Sequence, residues 1–231
     1  MNKSEVATLP GTAPVGRERR VDPRWYHTVR RIIHFLLRLL YRLEVSGAEN
    51  VPLEGAVIMA TNHIHWLDPP ILLAAIPQRE VTGFIARKYE ERFFVGWLVN
   101  SMGGIFVQRE GIDRRALEES LRALAAGEML GMAPEGSRSK SGALQRAPAG
   151  LAYLAHKSGA PILPIVVYGH ENPWKEWRRL RRPLARAVIG EPFALPPVQK
   201  GRRSQQLAAN TEMVMHRLAA LLPPRYRGVY A

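Results

Sequence analysis

Apolar residues recur along this chain at two periods, and the changes of period mark out its elements. Across residues 23–43, Trp25, Val29, Ile32, Ile33, Leu36, Leu37, Leu39, Leu40 and Leu43 interleave with Arg24, His27, Arg30, Arg31, His34, Arg38 and Arg42. That spacing predicts a basic amphipathic helix. Short apolar runs at 56–60, 83–86, 105–107, 129–133, 162–168 and 187–189 have the length of strands. Helical patterns lie between them. The clearest spans 113–126, where Leu117, Leu121 and Leu124 share one stripe and Gly127 follows as a stop; another spans 204–222 and runs into Pro223 and Pro224. This alternation predicts an α/β fold, a single domain with a mixed central sheet flanked by helices and preceded by the basic amphipathic helix. The organisation follows: a flexible tail at 1–22, poor in large apolar residues and unlike a cleavable signal, a helix at 23–43, and one domain at 44–231.

His34 and Arg38 interrupt the apolar run of the first helix well short of the roughly 20 residues that a bilayer crossing needs. The pattern therefore predicts an interfacial helix, its leucines and Ile32 among acyl chains and its arginines on lipid phosphates, each worth about 1 kcal/mol near an anionic surface. The same pattern also fits a helix that covers the domain's own core. The breadth of the apolar face favours membrane contact.

Composition narrows the chemistry. At 231 residues and 46% hydrophobic content the chain suits one sizeable core. It has no cysteine, which excludes disulfides, thiolate zinc sites and a cysteine nucleophile. The formal charge of +13 calls for an anionic partner: nucleic acid, an anionic membrane surface or a polyphosphate ligand such as coenzyme A. Basic residues gather at 17–42 and again at Lys175, Arg178, Arg179, Arg181, Arg182 and Arg186, where Trp174 and Trp177 favour an interfacial location. The competing class, a nucleic-acid binder, lacks any recognised motif or aromatic stacking platform here.

The sharpest candidate site follows the first core strand, where Asn62, His63, His65 and Asp68 stand at the end of an apolar run, the place where α/β sites collect. An alcohol attacks an acyl carbonyl at neutral pH only if something takes its proton, a task for which imidazole is suited. His63 is the candidate base, and Asp68 is close enough to hold its tautomer. Two other readings remain open: Asp68 caps a helix that begins at Pro69, or His63, His65 and Asp68 form an incomplete metal site. Pro69 and Pro70 remove two N–H groups beside His63, so any oxyanion hole must lie elsewhere. Two further segments carry guanidinium groups at turns: 103–109, ending in Arg109, and 133–139, containing Glu135, Gly136, Ser137 and Arg138.

In this order and spacing, Asn62-His63 with Asp68, the segment 103–109, Pro134-Glu135-Gly136-Ser137-Arg138-Ser139 and the proline-bearing strand 160–166 resemble the glycerolipid acyltransferase family, typified by bacterial lysophosphatidic acid acyltransferases. The resemblance covers roughly residues 43–193. It implies an O-acyltransferase of phospholipid biosynthesis with His63 as general base, Asp68 as its partner, and Lys88, Arg109, Glu135, Gly136, Ser137 and Arg138 around the acceptor phosphate. It further implies acyl-CoA or acyl carrier protein as donor and a lysophospholipid acceptor, 1-acyl-glycerol 3-phosphate first, with glycerol 3-phosphate or another lysolipid as the alternatives. No cofactor, metal or nucleic acid enters that mechanism, and the expected place is peripheral, on the cytoplasmic face of the cell membrane. The sequence departs from the family pattern at His65, where serine is usual, and at Ala133, where a bulky aromatic residue is usual.

Overall fold

A computed structural model describes residues 22–108 and 113–231. The expected tail, apart from Asp22, and Arg109 lie outside the described residues. The first helix, α1 (Pro23–Leu40), starts where Asp22 accepts a hydrogen bond from the Arg24 amide at 2.8 Å and proline occupies the first turn. It ends sooner than its periodicity predicts. Tyr41 turns extended, and β1 (Arg42–Ser46) pairs in parallel with β7 (Leu184–Ile189) from Arg42 opposite Leu184 to Ser46 opposite Val188. A distant strand thus takes Arg42 and Leu43 out of the helix.

The remaining strands are β2 (Val57–Thr61), β3 (Val81–Ala86), β4 (Ile105–Val107), β5 (Met129–Met132) and β6 (Ile162–Tyr168). They form one seven-stranded sheet in the order β1-β7-β6-β2-β5-β3-β4. Every neighbouring pair is parallel except β6 with β7, so the sheet is mixed. Helices α2 (Asp68–Ala75), α3 (Phe93–Ser101), α4 (Arg114–Ala125) and α5 (Gly150–Ser158) make the crossovers that parallel pairing requires. A short helix, α6 (Trp174–Trp177), precedes β7, and α7 (Arg203–Leu221) follows it.

Strand β2 is buried on both faces, and its alternation builds two cores. Ile58 and Ala60 join Leu124 of α4, Leu151 and Leu154 of α5, and Val214, Met215 and Leu218 of α7. Val57 and Met59 join Leu37 of α1 and Ile71, Leu72 and Ala75 of α2 on the other side.

Helix α1 carries two apolar faces. Tyr26, Val29 and Leu37 turn inward, while Ile32, Phe35, Leu36 and Leu39 stand exposed. One face of the helix therefore covers the core, as the second reading expects, and among the described residues nothing covers the other. Among the described residues no helix is long and apolar enough to cross a membrane.

Candidate active site

Strands β2 to β6 run parallel to one another, so the segments that follow them emerge at one edge of the sheet. His63 follows β2, Lys88 follows β3, Glu135 follows β5 and His170 follows β6. The turn after β2 is pinned first by Asn62, which is buried: its side-chain amide donates to the Val167 carbonyl and accepts from the Val167 amide, both at 2.8 Å. That double bond to β6 sets where His63 begins.

His63 Nδ1 stands 2.7 Å from Asp68 Oδ2. An ionised carboxylate only accepts, so Nδ1 carries the hydrogen and Nε2 keeps its lone pair for another proton. The imidazole is 22% exposed and the Asp68 side chain 2%, which leaves the His63 ring reachable and its carboxylate partner sealed. The same Oδ2 accepts from the Ile64 and His65 amides at 2.8 and 2.9 Å. Asp68 is the first residue of α2 and carries no cap bond to that helix; its carboxylate folds back onto the preceding turn, so the capping reading is set aside. Burial pulls its carboxyl upward, but the donors from His170, His63 and the His65 amide outweigh that and hold it below the ordinary carboxylate range.

The 133–139 turn locks onto the same loop. The Ser139 amide donates to the His63 carbonyl at 2.7 Å, and Glu135 Oε1 accepts from the His63 amide at 3.1 Å while Oε2 accepts from the Gln145 amide at 3.1 Å. Glu135 is buried, and burial pushes its carboxyl up to about 7 despite those two amides. In this structure its carboxylate braces the turn that bears His63. Gly136 adopts φ +70°, a left-handed conformation that suits glycine. It leaves Ser137 and Arg138 exposed at the tip, with Ser137 held by the Gln145 side chain at 3.1 and 3.2 Å.

Lys88 sits in a short 3-10 turn after β3, exposed, its ammonium 5.3 Å from the Tyr89 ring. Strand β4 ends two residues before Arg109, whose own position is outside the described residues. The backbone amides of His63, Ile64, His65, Leu67, Asp68 and Ile71 are all engaged, and positions 69 and 70 have none to give.

One site residue escaped the sequence reading. His170 is wholly buried, with Nε2 2.7 Å from Asp68 Oδ1. It is a single histidine, 102 positions from its partner, and the signal that marks it is its place just beyond the end of β6. His65 packs edge-on against it, ring centroids 5.5 Å apart.

The acyltransferase family model matches residues 42–168, more than half of the chain, with His63 and Asp68 inside the match. The chain belongs to the acyltransferase family. This acyltransferase is 32% identical over 134 residues to the 1-acyl-sn-glycerol-3-phosphate acyltransferase of Borreliella burgdorferi, an alignment covering 57% of the chain and 53% of that protein. It is 24% identical over 187 residues to the protein of the same name from Bacillus subtilis, covering 80% of the chain and 91% of the relative. A lyso-ornithine lipid O-acyltransferase of Pseudomonas aeruginosa matches at 26% over 161 residues, covering 69% of the chain and 57% of that relative. The acyltransferase thus spans about half the length of the Borreliella relative and nearly all of the Bacillus one. In fold, the crystal structure of the 1-acyl-sn-glycerophosphate acyltransferase PlsC from Thermotoga maritima superposes with TM-score 0.61 at 21% identity, covering 90% of this chain and 84% of that one.

Proposed function

We propose that this acyltransferase moves a fatty acyl group from a thioester, carried by coenzyme A or acyl carrier protein, to the free hydroxyl of 1-acyl-glycerol 3-phosphate. The observation that carries the reading is the 2.7 Å pair of part-exposed imidazole and sealed carboxylate within the matched family segment. His63 Nε2 takes the hydroxyl proton, and the freed oxygen attacks the thioester carbonyl. The tetrahedral intermediate then expels the thiolate, which takes the proton from the His63 imidazolium. Asp68 keeps Nε2 aimed outward and stabilises that cation while it exists. No acyl-enzyme is formed.

Lys88, Gly136, Ser137 and Arg138 follow β3 and β5 at the edge that holds the base, a placement that suits recognition of an acceptor phosphate; the family resemblance adds Arg109, which lies outside the described residues. Glu135 serves that site by bracing its loop. A second acceptor class is favoured by one observation: the relative from Pseudomonas is named for a lyso-ornithine lipid.

The reading sets the reaction at an anionic membrane surface and, from the family resemblance alone, on its cytoplasmic face. Supporting the membrane surface are the exposed face of α1, Phe93, Phe94 and Trp97 exposed at one end of that helix, and Trp174 and Leu180 exposed at the other. Trp25 joins α1 to α3 through Ser101 at 2.8 Å, and Trp177 joins α6 to the Leu40 carbonyl at 3.1 Å. Beside α1 a cavity of about 310 Å³ is lined by His34, Arg38, Arg42 and Arg182, basic groups suited to lipid phosphate.

The test is acceptor-dependent thiol release from a long-chain acyl-CoA, supplied with 1-acyl-glycerol 3-phosphate in vesicles. With no cysteine in the chain, a thiol-reactive dye reads the product alone. His63→Ala is expected to lower the rate by about 10²-fold or more. A folded His63→Ala variant as active as wild type would refute the mechanism.

A further inference from the structure

We infer that His170 is a positioning residue for the general base: by holding Oδ1 of Asp68 it fixes the carboxylate plane that aims His63. The inference rests on the acyl-transfer reading and extends it to a residue beyond the end of the matched family segment, which stops at residue 168.

Asp68 has two oxygens with separate duties. Oδ2 takes His63 Nδ1 and the Ile64 and His65 amides, while Oδ1 takes His170 Nε2 at 2.7 Å. A carboxylate gripped at one oxygen alone can swing about its side-chain torsion, and the imidazole bonded to it swings with it. A donor on the other oxygen removes that freedom.

The buried ring has one hydrogen-bonding duty. Nε2 must carry the hydrogen, because its partner is an ionised carboxylate. Nδ1 is then a lone pair, and it has no partner among the described residues. Burying an unpaired polar nitrogen costs stability, a cost that leucine or phenylalanine would avoid at a position needing only bulk. What histidine adds here is the bond to Asp68.

The backbone places that bond. Gly169 adopts φ +89°, and a Cβ there would meet the Leu184 carbonyl oxygen at 2.8 Å, so glycine is required at the turn off β6. The Gly169 amide donates to Glu171 at 2.8 Å, and the Tyr41 hydroxyl donates to the His170 carbonyl at 3.3 Å. His65 closes against the ring from the preceding loop. The titratable and charged groups facing the pair are His63, His65, Arg138, Glu135, Glu171 and Tyr41.

The test compares His170→Leu, which fills space without a donor, with His170→Gln, whose amide nitrogen can reach where Nε2 stands. Both are assayed as full-length protein for thiol release, beside wild type and His63→Ala. His170→Leu is expected to lower kcat about 10- to 100-fold, the scale of a misplaced catalytic group, with KM for both substrates unchanged. His170→Gln is expected to recover most of that loss. Equal damage in the two variants, a loss confined to KM, or failure of both to fold by circular dichroism would each make His170 a packing residue and overturn the inference. A folded, fully active His170→Leu beside an inactive His63→Ala overturns this inference alone, whereas an active His63→Ala removes the reading beneath it.

Discussion

The Asp68 carboxylate receives four donors, from two imidazoles and two backbone amides. Asp68→Asn places an NH₂ where one of those donors points, and the His63 tautomer loses its acceptor. The expected result is a fall in kcat of about 10²- to 10⁴-fold in the thiol-release assay, by analogy with the corresponding change in a serine protease triad. Glu135 makes the opposite electrostatic choice. Its carboxyl is raised to about 7, so the stability it contributes is fully present below the ordinary carboxylate range and is lost as pH rises through about 7. Thermal melts should show wild type losing on the order of 3 kcal/mol relative to Glu135→Gln between about pH 5 and pH 8. The pairing of His63 with Asp68 was legible in the sequence because the two residues lie five apart on one loop. His170 was not, since only the pairing of β6 with β2 brings it to Asp68. The internal duty of Glu135 was equally hidden, because its spacing to His63 says nothing of which way a carboxylate turns.

At the scale of elements, α1 separates its duties between neighbouring residues: Leu36 is 48% exposed and Leu37 is 4%. Leu37→Ala should cost about 2–5 kcal/mol in denaturant melts, through the cavity it leaves. The double change Phe35→Glu and Leu36→Glu should alter stability by only about 0.5 kcal/mol yet abolish co-sedimentation with vesicles containing anionic lipid. Retention of vesicle binding in that variant removes α1 from the proposed membrane surface. The central strands were readable because burial on both faces leaves a plain apolar run, as at β2 and β6. Strand β1 was not: Leu43 continued the helical stripe, and Arg42–Ser46 sits at the sheet edge, half exposed. Its partner β7 lies more than a hundred residues away, and no local period announces such a pairing.

Across the whole molecule, charge and apolar surface lie close together. Raising salt from about 0.1 to 1 M shortens the screening length from roughly 10 to 3 Å. Vesicle binding by this chain of formal charge +13 should weaken over that range but persist in part, and full loss would assign the attachment to charge alone. The α/β class and the mixed sheet were legible from the alternation of elements, but the strand order, which places β2 beside β5 and β6, was not. On the proposed membrane seating, the exposed strip of α1 also sets the arithmetic of the reaction. Protein held on a bilayer by that strip meets its acceptor by lateral diffusion, in two dimensions. Its rate then follows the mole fraction of acceptor within the membrane, and adding neutral lipid at constant bulk acceptor slows turnover although nothing in solution has changed.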